Sequence, residues 1–213
     1  MSRTQTDSEV LRYALRYAER GSRVFPVQPG GKGPYHKLID SWTEEATTDA
    51  DQIRQWFGSH PEANLGAATG KWAEDTPLLV VDIDVPGGYE TWKALRDEND
   101  HNPPRETLTV QTPSGGRHLY YTTKTGVPIK SAKDTLGDSV DTKGHGGYVV
   151  APPSTVDSGQ YAFDGDQTMI APAPRWLISA ARKRLSETDE EQETRGRRDT
   201  WTESMVEDAL SAI

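Results

Sequence analysis

Residues 78–88, LLVVDIDVPGG, decide how the chain folds: four aliphatic residues run into an interior and two aspartates follow at once. In an extended strand, residues two apart face the same way, about 6.6 Å from each other. Asp82 and Asp84 therefore share one face, and Ile83 points to the other with Leu79 and Val81. An unpaired carboxylate at the end of a buried strand is costly, and a second beside it adds repulsion. Divalent cations can bridge such a pair, since two-metal sites space their ions about 3.5–4 Å apart. Hard oxygen ligands suit Mg²⁺ or Mn²⁺. The alternative is that one aspartate caps the helix beginning near Gly88 while the other is simply exposed.

Outward from this stretch, helical spacing and capping residues predict helices over 8–21, 47–61, 87–100 and 173–185, the last with Pro174 near its first turn. A short strand is expected over 22–29, followed by the glycine-rich loop 30–37, and 63–70 is a small-residue strand or loop. The runs ETLTVQTP (106–113) and RHLYYTT (117–123), separated by SGG, read as a hairpin. Residues 138–154 hold another pair of short strands around a glycine-rich turn. Helices mixed with hairpins, without regular β-α-β alternation, predict an α+β class over a doubly wound fold.

The 213 residues amount to one domain, 1–185, with an appendage. Residues 186–199, nearly without apolar side chains, read as a charged linker or an exposed helix. Helical patterning resumes over 200–213 and stops in mid-pattern, as expected of the front of a longer protein. Cysteine is absent, which removes disulfides, thiolate zinc sites and Cys nucleophiles. A net charge of −9 argues against coating nucleic acid by bulk electrostatics, while leaving local basic patches open. The polar start is no secretory signal and no apolar run spans a bilayer, so a cytoplasmic location is expected.

Three further stretches carry chemistry. In TPSGGRHLYY (112–121), two glycines let a backbone approach a ligand, Arg117 and His118 follow, and Tyr120 shares the His118 face. The alternative is an ordinary glycine turn with a His that merely packs. In SVDTKGHGGYVV (139–150), Asp141 and Lys143 lie on one side of an extended run, as a working pair or a plain surface ion pair. In PGGKGPYHK (29–37), Lys32 and Lys37 touch phosphates or sit on a solvated turn. A P-loop, a G-x-S-x-G elbow and the H-E-x-x-H zinc spacing are all missing.

Taken in order, the Asp-x-Asp strand end, SGGRH, and VD ahead of GGYVVAPPS resemble the archaeo-eukaryotic primase superfamily. The chain is most similar to the bifunctional primase/polymerase (prim-pol) domains of phage and plasmid replication proteins. The resemblance covers about residues 8–180 and includes VFPVQPGGKGP, TTDADQIRQWF and NLGAATG. It implies an α/β module packed on an RRM-like sheet, with the active site in the cleft between them. Asp82, Asp84 and Asp141 would then be a metal-binding triad for two Mg²⁺ or Mn²⁺ ions, with no zinc. His118 would contact the phosphates of the incoming nucleotide, within a loop of Ser114, Gly115, Gly116 and Arg117, while Lys143 and Lys32 are further phosphate contacts. The implied activity is template-dependent primer synthesis and extension from dNTPs or NTPs on single-stranded DNA, with a helicase region usual downstream. Two departures stand out: relatives often carry serine where Gly116 lies, and a cysteine-free chain cannot build the zinc stem of some archaeal relatives.

Two other readings compete. Acidic clusters on strand ends also serve metal-dependent nucleases, and a non-catalytic nucleic-acid-binding module could keep the scaffold. Nucleotide binding discriminates the first, since a nuclease has no need of a Gly-Gly-Arg-His loop for a free triphosphate. Four retained site residues count against the second.

Overall fold

The computed structural model describes residues 8–71, 77–100, 104–123, 129–166 and 168–182; the stretches 186–199 and 200–213 lie outside them. In chain order the elements are α1 (Glu9–Glu19), β1 (Val24–Val27), α2 (Trp42–Glu45), α3 (Ala50–Ser59), β2 (Asn64–Ala68), β3 (Gly70–Lys71) and β4 (Pro77–Ile83). There follow α4 (Gly88–Glu98), β5 (Thr109–Gln111), β6 (Arg117–Thr122), β7 (Val140–Lys143), β8 (Tyr148–Ala151), β9 (Thr155–Val156), β10 (Gly159–Gln160), β11 (Ala162–Phe163) and β12 (Ala171–Pro172). A last helix, α5, is described over 175–182.

The helices begin where capping chemistry places them. The Ser8 hydroxyl accepts from the Leu11 amide at 3.3 Å, and Asp49 accepts from the Asp51 and Gln52 amides at 2.8 and 3.0 Å. The apolar stripe of α1 then buries Val10, Leu11, Ala14 and Tyr17, and that of α3 buries Ile53, Trp56 and Phe57.

The strands form two main sheets. The smaller has the order β1-β2-β8, which settles 64–68 as a strand. The larger runs β11-β5-β6-β4-β3, with β7 also pairing β4 and β12 also pairing β6. All these ladders are antiparallel except β12 on β6. The class is α+β as expected, with α1 and α3 packed against the small antiparallel sheet.

The strands of 138–154 both form, yet they do not pair with each other: β7 joins β4 and β8 joins β2. The glycine-rich turn between them is pressed against residues 129–131. A Cβ on Gly144 would collide with the Ile129 carbonyl, and one on Gly147 with the Ser131 hydroxyl. The turn therefore hands the chain from one sheet to the other.

Strand β4 is buried on both faces. Leu78 and Val80, with Val110 and Tyr120, share a core with the small sheet, α1 and α3. Leu79, Val81 and Ile83 pack with Tyr121, Trp92 of α4, and Leu177 and Ala181 of α5. The alternation read from LLVVDID is thus realised, and it aims Asp82 along the face that Val80 shares with the small sheet. Among the described residues, no helix is long and apolar enough to cross a membrane.

Candidate active site

Register assembles the site. On β6, β4 and β7, His118 stands opposite Asp82, and Asp82 opposite Asp141. Directly opposed residues share a face, with Cβ atoms about 4.5–5.5 Å apart. One row across three strands therefore carries two acids and an imidazole. Lys143 stands opposite Val80 in the next row on the same face.

The contacts follow. Asp82 receives His118 Nε2 at 3.4 Å on one oxygen and Lys143 Nζ at 3.3 Å on the other. The same ammonium lies 2.7 Å from Asp141, whose second oxygen accepts from the Asp134 amide at 2.9 Å. Asp82 and Asp141 are buried, so the Asp141–Lys143 contact is no plain surface pair. Asp84 leaves the end of β4, exposed, with its amide donating to the Ser139 carbonyl at 2.9 Å. Neither aspartate side chain caps α4, which starts after Gly87 without a side-chain cap. One carboxylate oxygen from each of Asp82, Asp84 and Asp141 falls within 4.8 Å of the others.

The electrostatics separate the three cationic and acidic roles. Burial would raise the pKa of Asp82, but the His118 hydrogen bond and charge and the Lys143 ammonium outweigh it and hold it below the ordinary value. Asp84 is pushed up, first by partial burial and then by the charges of Asp82 and Asp141, against the pull of Lys143 and Lys32. Burial works against the Lys143 charge, yet its contacts to Asp141 and Asp82 raise its pKa overall. The donor set is all oxygen and partly buried, with three carboxylates set against one ammonium. That chemistry fits a hard divalent cation.

The loop before His118 is built by its glycines for different reasons. Gly115 turns at φ +91°, and its amide is spent on the Thr112 carbonyl at 2.9 Å. Gly116 passes so close to β4 that a Cβ would strike the Ile83 carbonyl. The Ser114 hydroxyl meets the Thr112 hydroxyl at 3.0 Å within the loop. Arg117, one residue from His118 and so on the opposite face, pairs with Asp164 at 2.9 Å and lies over the Tyr89 ring. Lys32 is exposed; its carbonyl accepts from the Tyr148 hydroxyl at 3.1 Å, and its charge reaches Asp84. The structure thus brings Asp82, Asp84, Asp141, His118 and Lys143 together, sets Lys32 within electrostatic reach, and turns the Arg117 guanidinium away.

Residues that the sequence did not single out complete the site. Tyr161 packs its ring on His118 at 5.8 Å, and burial together with Asp82 and Asp84 pushes its hydroxyl up to about 12, so it stays protonated at neutral pH. His118 Nδ1 is buried without a hydrogen-bond partner among the described residues. Tyr89 donates to the Gly115 carbonyl at 2.9 Å. Asp134 and Tyr161 lie in irregular stretches with no periodic signal, and only the fold brings them to the row.

A family model described as Prim-Pol, bifunctional DNA primase/polymerase, N-terminal, matches residues 14–176, well over half of the chain. The match takes in all of the site described above. No curated protein matches the chain.

Proposed function

We propose, from the premise that the chain belongs to the bifunctional DNA primase/polymerase (prim-pol) family, that it carries out template-directed nucleotidyl transfer at the carboxylate row. Family membership gives the coarse activity: a metal-dependent primase/polymerase-type function in DNA replication, acting on DNA and nucleotides. The finer reading is of a phage or plasmid replication protein that makes and extends primers. The observation that supports it is the row His118–Asp82–Asp141 with Asp84 at its end and Lys143 between the two buried acids.

Asp82, Asp84 and Asp141 would hold two divalent cations, Mg²⁺ or Mn²⁺. Bound there, the cations supply Lewis-acid charge to the attacking hydroxyl and to the triphosphate. Asp82 is kept ionised by His118 and Lys143 and so needs no deprotonation before serving as a ligand. Asp84, already surrounded by like charge, gains most from a cation. Lys143 keeps Asp82 and Asp141 compatible until then, and the triphosphate gives its ammonium a third anion to meet. His118, packed at a tilt against Tyr161, offers a long contact to Asp82 that a phosphate oxygen can replace. Lys32 meets the outer phosphates. Because Arg117 is engaged elsewhere, Ser114, Gly115 and Gly116 form the near wall of the nucleotide subsite. Phosphoryl transfer of this kind is mainly positioning and charge neutralisation, which these groups provide.

The test is incorporation on a single-stranded template, with dNTPs and NTPs compared in Mg²⁺ and Mn²⁺. Asp82→Asn and Asp141→Asn are expected to keep the circular dichroism of the wild type while lowering incorporation at least about 100-fold. A folded double variant with wild-type synthesis refutes the assignment. DNA degradation with metal, in the absence of detectable dNTP binding, replaces it with a nuclease.

A further inference from the structure

Away from the carboxylates, α1 and the connection from β11 to β12 enclose a groove of about 370 Å³. Tyr13 and Arg16 of α1, with Arg20 at its C-cap, form one wall and Phe163 of β11 the other, above Leu108 and Ile170. The Tyr13 and Phe163 rings are nearly parallel, 13° apart with centroids at 6.2 Å. Phe163 remains 39% exposed, and Met169, between two residues that line the groove, is 71% exposed. Exposed aromatic and thioether surface in a soluble chain asks for a partner.

The charge beside it is positive. Arg12, Arg16 and Arg20 recur every fourth residue, which sets them in one exposed column along α1. None of the three forms an ion pair with a described residue, and one carboxylate, Asp166, lines the groove against two guanidinium groups. On a chain of net charge −9, such a column is a local exception. Stacked rings beside unpaired guanidinium groups suit unpaired bases strung on phosphates: each base offers a face to an aromatic ring, and each phosphate accepts from arginine.

The groove also leads to the catalytic row. Phe163 stands opposite Val110 of β5, and Val110 opposite His118 of β6, so the aromatic wall of the groove lies in the same cross-strand row as His118. We propose that this groove holds the unpaired DNA template strand, stacking bases on Phe163 and Tyr13 and pairing phosphates with Arg16 and Arg20. The proposal rests on the reading that the domain copies a template.

The experiment is fluorescence anisotropy of a labelled oligothymidylate with the 213-residue chain, without divalent cations, so that no synthesis contributes. Phe163→Ala and the double variant Arg16→Ala/Arg20→Ala change exposed positions, and alanine is a strong helix former. Each is expected to weaken strand binding about 5- to 100-fold. The double variant should also flatten the slope of log K against log salt by about 1.4. Binding of a fluorescent dNTP should be unchanged in both. Unchanged strand affinity in both folded variants overturns the proposal, as does a wild-type chain that binds no strand. Loss of dNTP binding with strand affinity retained overturns it in favour of a mononucleotide site. A chain that binds the strand through the groove and yet incorporates nothing refutes the catalytic assignment and leaves the groove standing.

Discussion

Asp82 and Asp84 leave the same face of one strand, but their surroundings drive them in opposite directions. Asp82 has the Lys143 ammonium at 3.3 Å and the His118 ring at 3.4 Å, and its pKa ends below the ordinary value despite burial. Asp84 has burial and two like charges, and its pKa ends above it. The signs translate directly into stability. A carboxylate with a lowered folded pKa stabilises the fold above its unfolded value, and that contribution is lost as pH falls through the folded pKa. One with a raised folded pKa destabilises at neutral pH, and the strain is relieved as pH falls through that value. Asp84→Asn is therefore expected to raise Tm at pH 7 in a chelator and to shrink the further rise produced by Mn²⁺. Because Asp84 is exposed, solvent screening keeps the gain below about 1 kcal/mol, or roughly 2–4 °C. Thermal melting with EDTA and with Mn²⁺ reads both effects, and a lower Tm in EDTA would sink the argument. The acid pair was legible from its alternation alone. The resident lysine was legible as a neighbour of Asp141 but not of Asp82, because strand register sets that contact across sixty-odd residues of sequence.

The hairpin of β5 and β6 shows how an element fixes a side chain. SGG between two β-rich runs marked the turn, and alternation within RHLYY put His118 and Tyr120 on one face and Arg117 on the other. Linear proximity nonetheless suggested that Arg117 and His118 act together, and the ladder separates them. Gly116 is where the hairpin presses on β4: its Cβ would collide with the Ile83 carbonyl and come within 3.1 Å of the Thr112 hydroxyl. Neither obstacle is the far end of a flexible side chain. Gly116→Ala should therefore push the start of β6 off β4, at about 1–3 kcal/mol, and pull His118 out of line with Asp82. Ser114→Ala, at an exposed position whose hydroxyl meets Thr112 within the loop, should stay within about 0.5 kcal/mol of the wild type. Urea unfolding of the two variants separates them; equal stabilities would show that the close approach at Gly116 carries no constraint.

Across the whole molecule, the site residues come from the large sheet, yet the face they occupy belongs to a core shared with the small one. Val80 and Tyr120, immediate neighbours of the carboxylate row, pack in the same cluster as Phe25 of β1, Leu65 of β2, Val149 of β8 and Phe57 of α3. Periodicity told strand from helix along most of the chain. It could not tell which sheet a strand would join, since β7 and β8 carry similar patterns and are separated by one short turn. That partition follows from the tight passage of Gly144 and Gly147 against residues 129–131. A shared core has a thermodynamic consequence: the two sheets should lose structure together, including the row of acids. Phe57 is fully buried on α3, on the small-sheet side of that core. Phe57→Ala should cost about 3–5 kcal/mol and lower the midpoints for far-UV circular dichroism, near-UV circular dichroism and nucleotide incorporation by the same amount. If incorporation in the variant fails at a clearly lower denaturant concentration than the circular dichroism does, the sheets are separate cooperative units, and the shared core does not hold the site in register.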